Sequence, residues 1–392
     1  MLMHRIVISL AGTAALAVTA TACSGTERST GLTAAEAGPA THATQVTREA
    51  PAAQAAPAAQ ALSKLHATAK DAFVLPNGKA VRLNGPNLQP IWDKNSSDTW
   101  KQATYNAIKA KGFKGVRMVL FWDDFEPRKG VWNEKAFKTL STALARAKAA
   151  GLYVVLDCVH LYGKPEGQSR VPTWARKADG MGAVAANGLR FLQQLATRYG
   201  KNPALAAYDP VNEPYRWPVD HKSVLADYTK IVNAIRAKDS KTTIVLEPTY
   251  GDAKVPVSAF TSFKPAKRTN LVWSIHDYYV GNAGAGYDRN GIGTSPNASD
   301  GKTGYKPANK ANLAKHLNVQ IAMAKSVKLP IWIGEFGIGA RAAGHDQFIK
   351  DKVALYKSKG IGYSWWEYQD GSGAFSMINA NGSWKPWATW VR

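Results

Sequence analysis

Disulfide stapling has almost nothing to work with in this sequence: Cys23 and Cys158 are the only cysteines among 392 residues. Cys158 lies in the apolar run Leu156-Asp157-Cys158-Val159, where a small buried thiol is the expected state. Stability must therefore come from a hydrophobic core, which a folded part of roughly 320 residues can supply. Phosphate-cradling chemistry is missing too. Neither a G-x-G-x-x-G turn nor a Walker sequence is present, which argues against a doubly wound nucleotide fold. No Gly-x-Ser-x-Gly elbow supports a serine hydrolase, and no His-Glu-x-x-His or short His/Cys spacing supports zinc. No cofactor and no metal are expected. Acidic side chains are also scarce, 28 against 50 Lys plus Arg, for a net charge of +22. The charge is spread along the chain, which reads as a basic soluble surface, with adhesion to an anionic envelope polymer or acidic glycan as the sharper alternative. Nucleic-acid binding is not expected, because no recognised module or compact basic patch with interleaved aromatics occurs.

The first residues bear on compartment. His4-Arg5 precedes a small, apolar run over 6–22 ending Thr19-Ala20-Thr21-Ala22, followed by Cys23. This is the layout of a secretory signal peptide, and the run is too short to span a bilayer and continue as a domain. Two outcomes compete at the same bond. Small residues before Cys23 resemble a lipobox, although Ala20 stands where Leu is usual; Cys23 then becomes a lipidated first residue on the outer face of a bacterial membrane. Ordinary cleavage after Ala20-x-Ala22 instead releases the protein. Residues 23–62 are Ala, Thr, Pro, Glu and Gln with few large apolar side chains, too little to offset ordering entropy, and read as a flexible tether. Residues 63–392 form the folded domain, expected to be monomeric.

That domain opens with Phe73-Val74-Leu75, Pro76-Asn77-Gly78 and Ala80-Val81-Arg82-Leu83, an Asn-Gly turn between apolar stretches that predicts a hairpin. Strand, polar loop and amphipathic helix then alternate. Strands are predicted over 82–87, 115–121, 153–159, 206–212, 242–247, 271–276, 330–335 and 360–366. Helices are predicted over 99–111, 134–149, 184–199, 224–238, 310–325 and 345–359, with only a turn near 258–263 between the fifth and sixth strands and a very short final helix. Eight strands without clean alternation suggest parallel strands covered by helices. Polar residues recur at the strand ends, which a (β/α)₈ TIM barrel gathers at one face. Pro210, inside the fourth predicted strand, removes a backbone donor and is expected to force a bulge.

Two carboxyls stand out. Glu213 in Tyr208-Asp209-Pro210-Val211-Asn212-Glu213-Pro214-Tyr215 and Glu335 in Ile331-Trp332-Ile333-Gly334-Glu335-Phe336-Gly337 each end an apolar, aromatic-flanked strand. Glycoside hydrolysis needs such a pair in different environments. With Leu83-Asn84-Gly85-Pro86-Asn87, Arg117 in Gly115-Val116-Arg117-Met118, His160, His276-Asp277-Tyr278 and Trp365-Trp366, these motifs fall in the order of a family 5 glycoside hydrolase, which the chain resembles over roughly 73–387. The resemblance implies a retaining β-glycosidase on a (β/α)₈ barrel, with Glu213 as acid/base and Glu335 as nucleophile. Arg117 and Tyr278 would support Glu335, Asn212 would bind the sugar 2-OH, and His160 and His276 would contact sugar or carboxylates. Trp366, or else Trp365, would floor the sugar site. Burial among Tyr208, Pro214 and Tyr215 is expected to raise the Glu213 pKa. Trp92, Trp122, Trp174 and Trp217 are further candidates for sugar stacking, whereas Trp100, Trp384 and Trp387 look like scaffold, and Glu247 could contact substrate or be structural. A β-glucan-like polysaccharide or oligosaccharide is the leading substrate. A glycolipid or envelope glycan, including mannan or furanoside polymers, and an inactive carbohydrate-binding barrel are the alternatives.

Overall fold

The structure, a computed structural model, describes residues 61–89, 101–159, 170–175, 182–214, 220–248, 254–281, 302–370 and 373–392. The expected signal peptide, Cys23 and nearly all of the tether lie outside them. So do His160, Trp92, Trp100 and Trp217.

Eight parallel strands close into a barrel in chain order: β1 (Asn84–Leu88), β2 (Gly115–Phe121), β3 (Tyr153–Val159), β4 (Leu205–Asp209), β5 (Thr243–Leu246), β6 (Leu271–His276), β7 (Ile331–Phe336) and β8 (Tyr363–Trp365). Strands buried on both faces explain the near-continuous apolar runs. Pairing is longest between β2 and β3, from Gly115 opposite Tyr153 to Phe121 opposite Val159. Closure brings β1 against both β2 and β8. Only glycine fits at position 85, where a Cβ would lie 1.7 Å from the Gly115 carbonyl oxygen.

The covering helices are α1 (Gln102–Ala110), α2 (Trp122–Phe125), α3 (Glu134–Ala149), α4 (Gly182–Tyr199), α5 (His221–Arg236), α6 (Lys310–Ser326), α7 (His345–Ser358) and α8 (Ala388–Val391). In α3 the buried set Ala136, Phe137, Leu140, Ala143, Leu144 and Ala147 follows a helical period, which explains why this segment packs against strands. Asn133 and Asp220 cap α3 and α5 through their side chains. A short 3₁₀ segment, Val257–Ser262, takes the helix position between β5 and β6.

The N-terminal segment closes the base of the barrel. Val74 bridges antiparallel to both His66 and Ala80. Leu65, Phe73 and Leu83 pack on Val155, Val245, Val272 and Trp332 inside the barrel. The bulge expected at Pro210 is not there. Strand β4 ends at Asp209, so Pro210 follows the strand and removes no ladder donor. The irregularity falls at the other end of β4, where Val154 pairs Leu205 and Val155 pairs Ala207, skipping Ala206.

Candidate active site

Strand ends converge around one buried guanidinium. Arg117, on β2, is fully buried. Its Nη1 donates to Glu335 Oε1 on β7 at 2.8 Å and to Asn87 Oδ1 at 3.0 Å. Its Nη2 donates to Asn212 Oδ1 at 2.9 Å and to Glu247 Oε1 at 3.3 Å, and its Nε donates to Asp209 Oδ2 at 2.9 Å. Asp157 Oδ2 lies 3.1 Å from Nη1. Burial opposes the charge, but Asp157, Asp209, Glu335 and Glu247 together raise the Arg117 pKa well above its ordinary value. The expectation of one Arg serving Glu335 understated the site, because four carboxyls share the cation.

His276 closes β6 and is the second junction. Its Nδ1 lies 2.8 Å from Glu213 Oε1 and 3.4 Å from Glu335 Oε2, and its Nε2 lies 3.0 Å from Glu247 Oε1. Burial disfavours the imidazolium, yet Glu247 and Glu335, with the hydrogen bonds to Glu213 and Glu247, push the pKa well above 6.5. A protonated ring donates through both nitrogens, so it holds the Glu213 and Glu247 side chains at once.

Glu335 is buried and receives a 2.8 Å hydrogen bond from Tyr278 Oη through Oε2. Burial pushes its carboxyl up, against the pull of His276, Arg117 and the Tyr278 hydroxyl, with Glu213 adding to the rise. The alternation of an extended chain sets the roles of His276-Asp277-Tyr278. His276 and Tyr278 reach the site, while Asp277 meets Lys352 Nζ and accepts from Tyr356 Oη at 2.8 Å, both on α7. Lys352 and the Tyr356 hydroxyl hold the Asp277 carboxyl below the usual range despite burial.

The burial expected of Glu213 is corrected. Its side chain is 46% exposed. Tyr208, expected to shield it, points away: its hydroxyl donates to Asp239 at 2.9 Å. Glu213 instead has a left-handed backbone, φ 43°, and its N–H donates to Glu247 Oε2 at 2.7 Å. Glu247 is therefore a buried junction beneath the site rather than a cleft-lining group. The sequence reading also passed over Asp157 and Asp209, which sit opposite each other in the β3–β4 register. Burial raises Asp209 to about 8, Glu247 adding to the rise and Arg117 opposing it, and burial lifts Asp157 well above the usual range. A carboxyl on each of two neighbouring apolar strands was the signal available for finding them.

Residues 74–372 match the cellulase family, glycosyl hydrolase family 5. The chain belongs to that family. A β-xylosidase from Phanerodontia chrysosporium is 26% identical over 67% of this chain and 55% of its own. Endoglucanase A from Clostridium longisporum is 23% identical over 68% of this chain and 50% of its own. The chain thus spans about half the length of the curated relatives it matches. In structure it superposes on endo-glycoceramidase II from Rhodococcus sp. with a TM-score of 0.62 at 18% identity, covering 83% and 80% of the two chains.

The aromatic positions of this family 5 barrel separate cleanly. Trp365 is fully buried, stacks edge-on with Phe336, and donates from its indole to the Phe375 carbonyl. Trp366, its neighbour, is half-buried and follows β8. Trp122 is not a cleft residue: it is fully buried, bonded to Glu126 and edge-on to Trp174. Trp174 is half-buried and donates to the Glu126 carbonyl. Glu213, His276 and Glu335 bring potential ligand atoms within 4.8 Å of one another.

Proposed function

We propose that the chain hydrolyses β-glycosidic bonds with retention of configuration. Glu335 acts as nucleophile and Glu213 as acid/base. The observation that carries this reading is the closeness of the two carboxylates, whose oxygens come within 4.8 Å. Retaining enzymes place the pair about 5–5.5 Å apart, whereas inverting ones leave about 6.5–9.5 Å for a water. In the first step Glu335 attacks the anomeric carbon while Glu213 protonates the departing oxygen. In the second, Glu213 takes a proton from water, and the water oxygen displaces Glu335. Exposure suits Glu213 to both proton exchanges. Arg117, His276 and Tyr278 direct positive charge and donors at Glu335, favouring the ionised nucleophile. Asn212 spends its Oδ1 on Arg117, which leaves its amide N–H groups for the sugar 2-OH. Trp366 serves as the sugar floor.

The substrate is a β-linked glucan or a related oligosaccharide, in keeping with the endoglucanase among the relatives. We assign the protein to the cell surface, anchored to the outer face of a bacterial membrane through export and lipidation of Cys23, on the strength of the apolar run before that residue. Intact mass of the mature protein tests this, and an unmodified Cys23 at the new N-terminus refutes it.

Proton NMR of the first product tests the chemistry, since immediate appearance of the opposite anomer overturns it. Azide separates the two roles. Glu335→Ala should form no glycosyl-enzyme and give azide product of inverted configuration. Glu213→Ala should keep the first step on activated aryl glycosides and give azide product of retained configuration. The reverse pattern exchanges the roles, and turnover by neither the parent nor any azide-supplemented variant points to a binding barrel.

A further inference from the structure

The end of the barrel opposite the site holds charge that the chemistry leaves unused. Helices run back against the strands, so their last turns gather at the base, and they end in cations: Lys109, Lys148, Arg198, Arg236, Lys325 and Lys357. Helix dipoles favour this placement. Pairing absorbs only part of it. Arg198 meets Glu134 and Arg236 meets backbone carbonyls, but Arg82, Lys325 and Lys359 have no carboxylate partner among the described residues. The surplus shows in the neighbours. Lys114 is lowered by burial and by Arg82, Lys79 and Lys109, and Lys357 by burial, Arg82 and Arg392.

Within this basic face is a cavity of about 570 Å³ between the N-terminal segment, the end of α6 and the entries to β7 and β8. Its walls are apolar, with Phe73, Ile321, Ala324, Leu329 and Ile361. Lys70, Arg82, Lys325 and Lys359 line it against a single carboxylate, Asp71. The size is that of a small-molecule site. The chemistry is that of an amphiphile with an anionic head. A polyanionic chain would satisfy the cations but has nothing to place against the apolar walls.

We propose that this cavity takes one anionic phospholipid of a bilayer. The phosphate meets Arg82, Lys325 and Lys359, and the glycerol ester region with the start of an acyl chain lies against Phe73, Ile321 and Ile361. The base of the barrel then rests on the membrane, and the mouth, where Glu213 and Glu335 stand, faces away. The domain's N-terminal residues, from Leu62, pack at the same base, so a membrane tether would enter on the docking side.

The test is co-sedimentation of the full chain carrying Cys23→Ser, which removes the acylation site, with phosphatidylcholine vesicles with and without phosphatidylglycerol. The phosphatidylcholine arm subtracts any insertion of the apolar run at 6–22. Binding should require phosphatidylglycerol. The triple variant Arg82→Glu/Lys325→Glu/Lys359→Glu should weaken it by about 100-fold or more, each basic residue near an anionic surface being worth about 1 kcal/mol. Ala69→Trp, at an exposed wall position, fills the cavity without changing charge and should weaken binding at least about threefold. Turnover of a soluble aryl glycoside, measured alongside, should match the parent in both variants because neither touches the site. No phosphatidylglycerol-dependent binding, or equal binding by the triple variant, overturns the proposal. Loss in the triple variant with none in Ala69→Trp overturns the lipid cavity, as does tighter binding of soluble polyglycerol phosphate at equal phosphate.

Discussion

Glu247 Oε2 accepts the backbone N–H of Glu213 at 2.7 Å while Oε1 of the same carboxylate holds His276 Nε2 at 3.0 Å. One buried side chain on the β5 edge thus fixes both the left-handed turn that presents Glu213 and the ring beside it. The arrangement works only while Glu247 is ionised. His276 and Arg117 keep it so, lowering its carboxyl despite burial.

Glu247→Gln should reduce kcat by about 10- to 100-fold, the usual scale for removing a group that orients a functional side chain. The sharper readout is pH. Glu247 is the foremost charge raising His276, so its loss lowers the folded-state pKa of the ring. The alkaline limb of the rate profile should then move to lower pH. The stability linked to imidazolium, complete below about 6.5 and lost as pH rises through the folded value, should decay earlier. An unmoved alkaline limb refutes the coupling.

Tyr278→Phe removes a donor to the ionised Glu335 carboxylate. Burial already raises that carboxyl, and without the hydroxyl it should rise further. The acidic limb of the activity profile should shift to higher pH, with kcat reduced about 10- to 100-fold. A uniform loss without a shifted limb would mean that the hydroxyl only positions.

Asp209→Asn should make stability less dependent on pH. The native carboxyl titrates near 8, above its unfolded value of 3.8, so between those values the folded state holds a proton that the unfolded state has released. Stability falls across that window and is flat above it. The slope contribution is up to about 1.4 kcal/mol per pH unit. Chemical denaturation from pH 5 to 9 should show the variant gaining on the parent up to about 8 and holding level beyond.

Gly334→Ala tests the backbone beside Glu335. A Cβ there would lie 2.7 Å from Ser274 Oγ and 3.2 Å from His276 Nε2. Ser274 Oγ must move and the ring must give by a few tenths of an ångström, so activity should fall at least about tenfold while the melting temperature drops by only about 2–4 °C. Equal activity in the two proteins contradicts the packing argument.

The carboxyl-bearing strand ends were legible because they combine local signals: a Pro after Asn212-Glu213, and glycines on both sides of Glu335-Phe336. The barrel was legible from eight apolar runs. What escaped depends on contacts far apart in the chain. Tyr208 precedes Glu213 by five residues, and proximity in sequence implied shielding, but strand alternation turns the phenol toward Asp239. Asp157 and Asp209 become opposed only through the β3–β4 register. Glu247 was visible at the end of its strand, yet its two-sided contact with Glu213 and His276 exists only once β4, β5 and β6 lie side by side. The Pro210 bulge failed for a local reason, since the proline stands after the last paired residue.

The tie between Asp277 and Lys352 bears on how this barrel can be recombined. Strand-and-helix units of such folds are natural candidates for exchange between relatives, with the joint placed after each helix. Here Asp277 directly follows β6, and α7, one unit later, contributes Lys352 and Tyr356. A chimera joined between α6 and β7 would inherit the acid from one parent and its buried cation from the other. Unless both parents carry the same trio, the hybrid encloses Asp277 without its buried lysine, next to His276 and Tyr278, and the smallest exchangeable piece on this side is the whole quarter from β6 through α7.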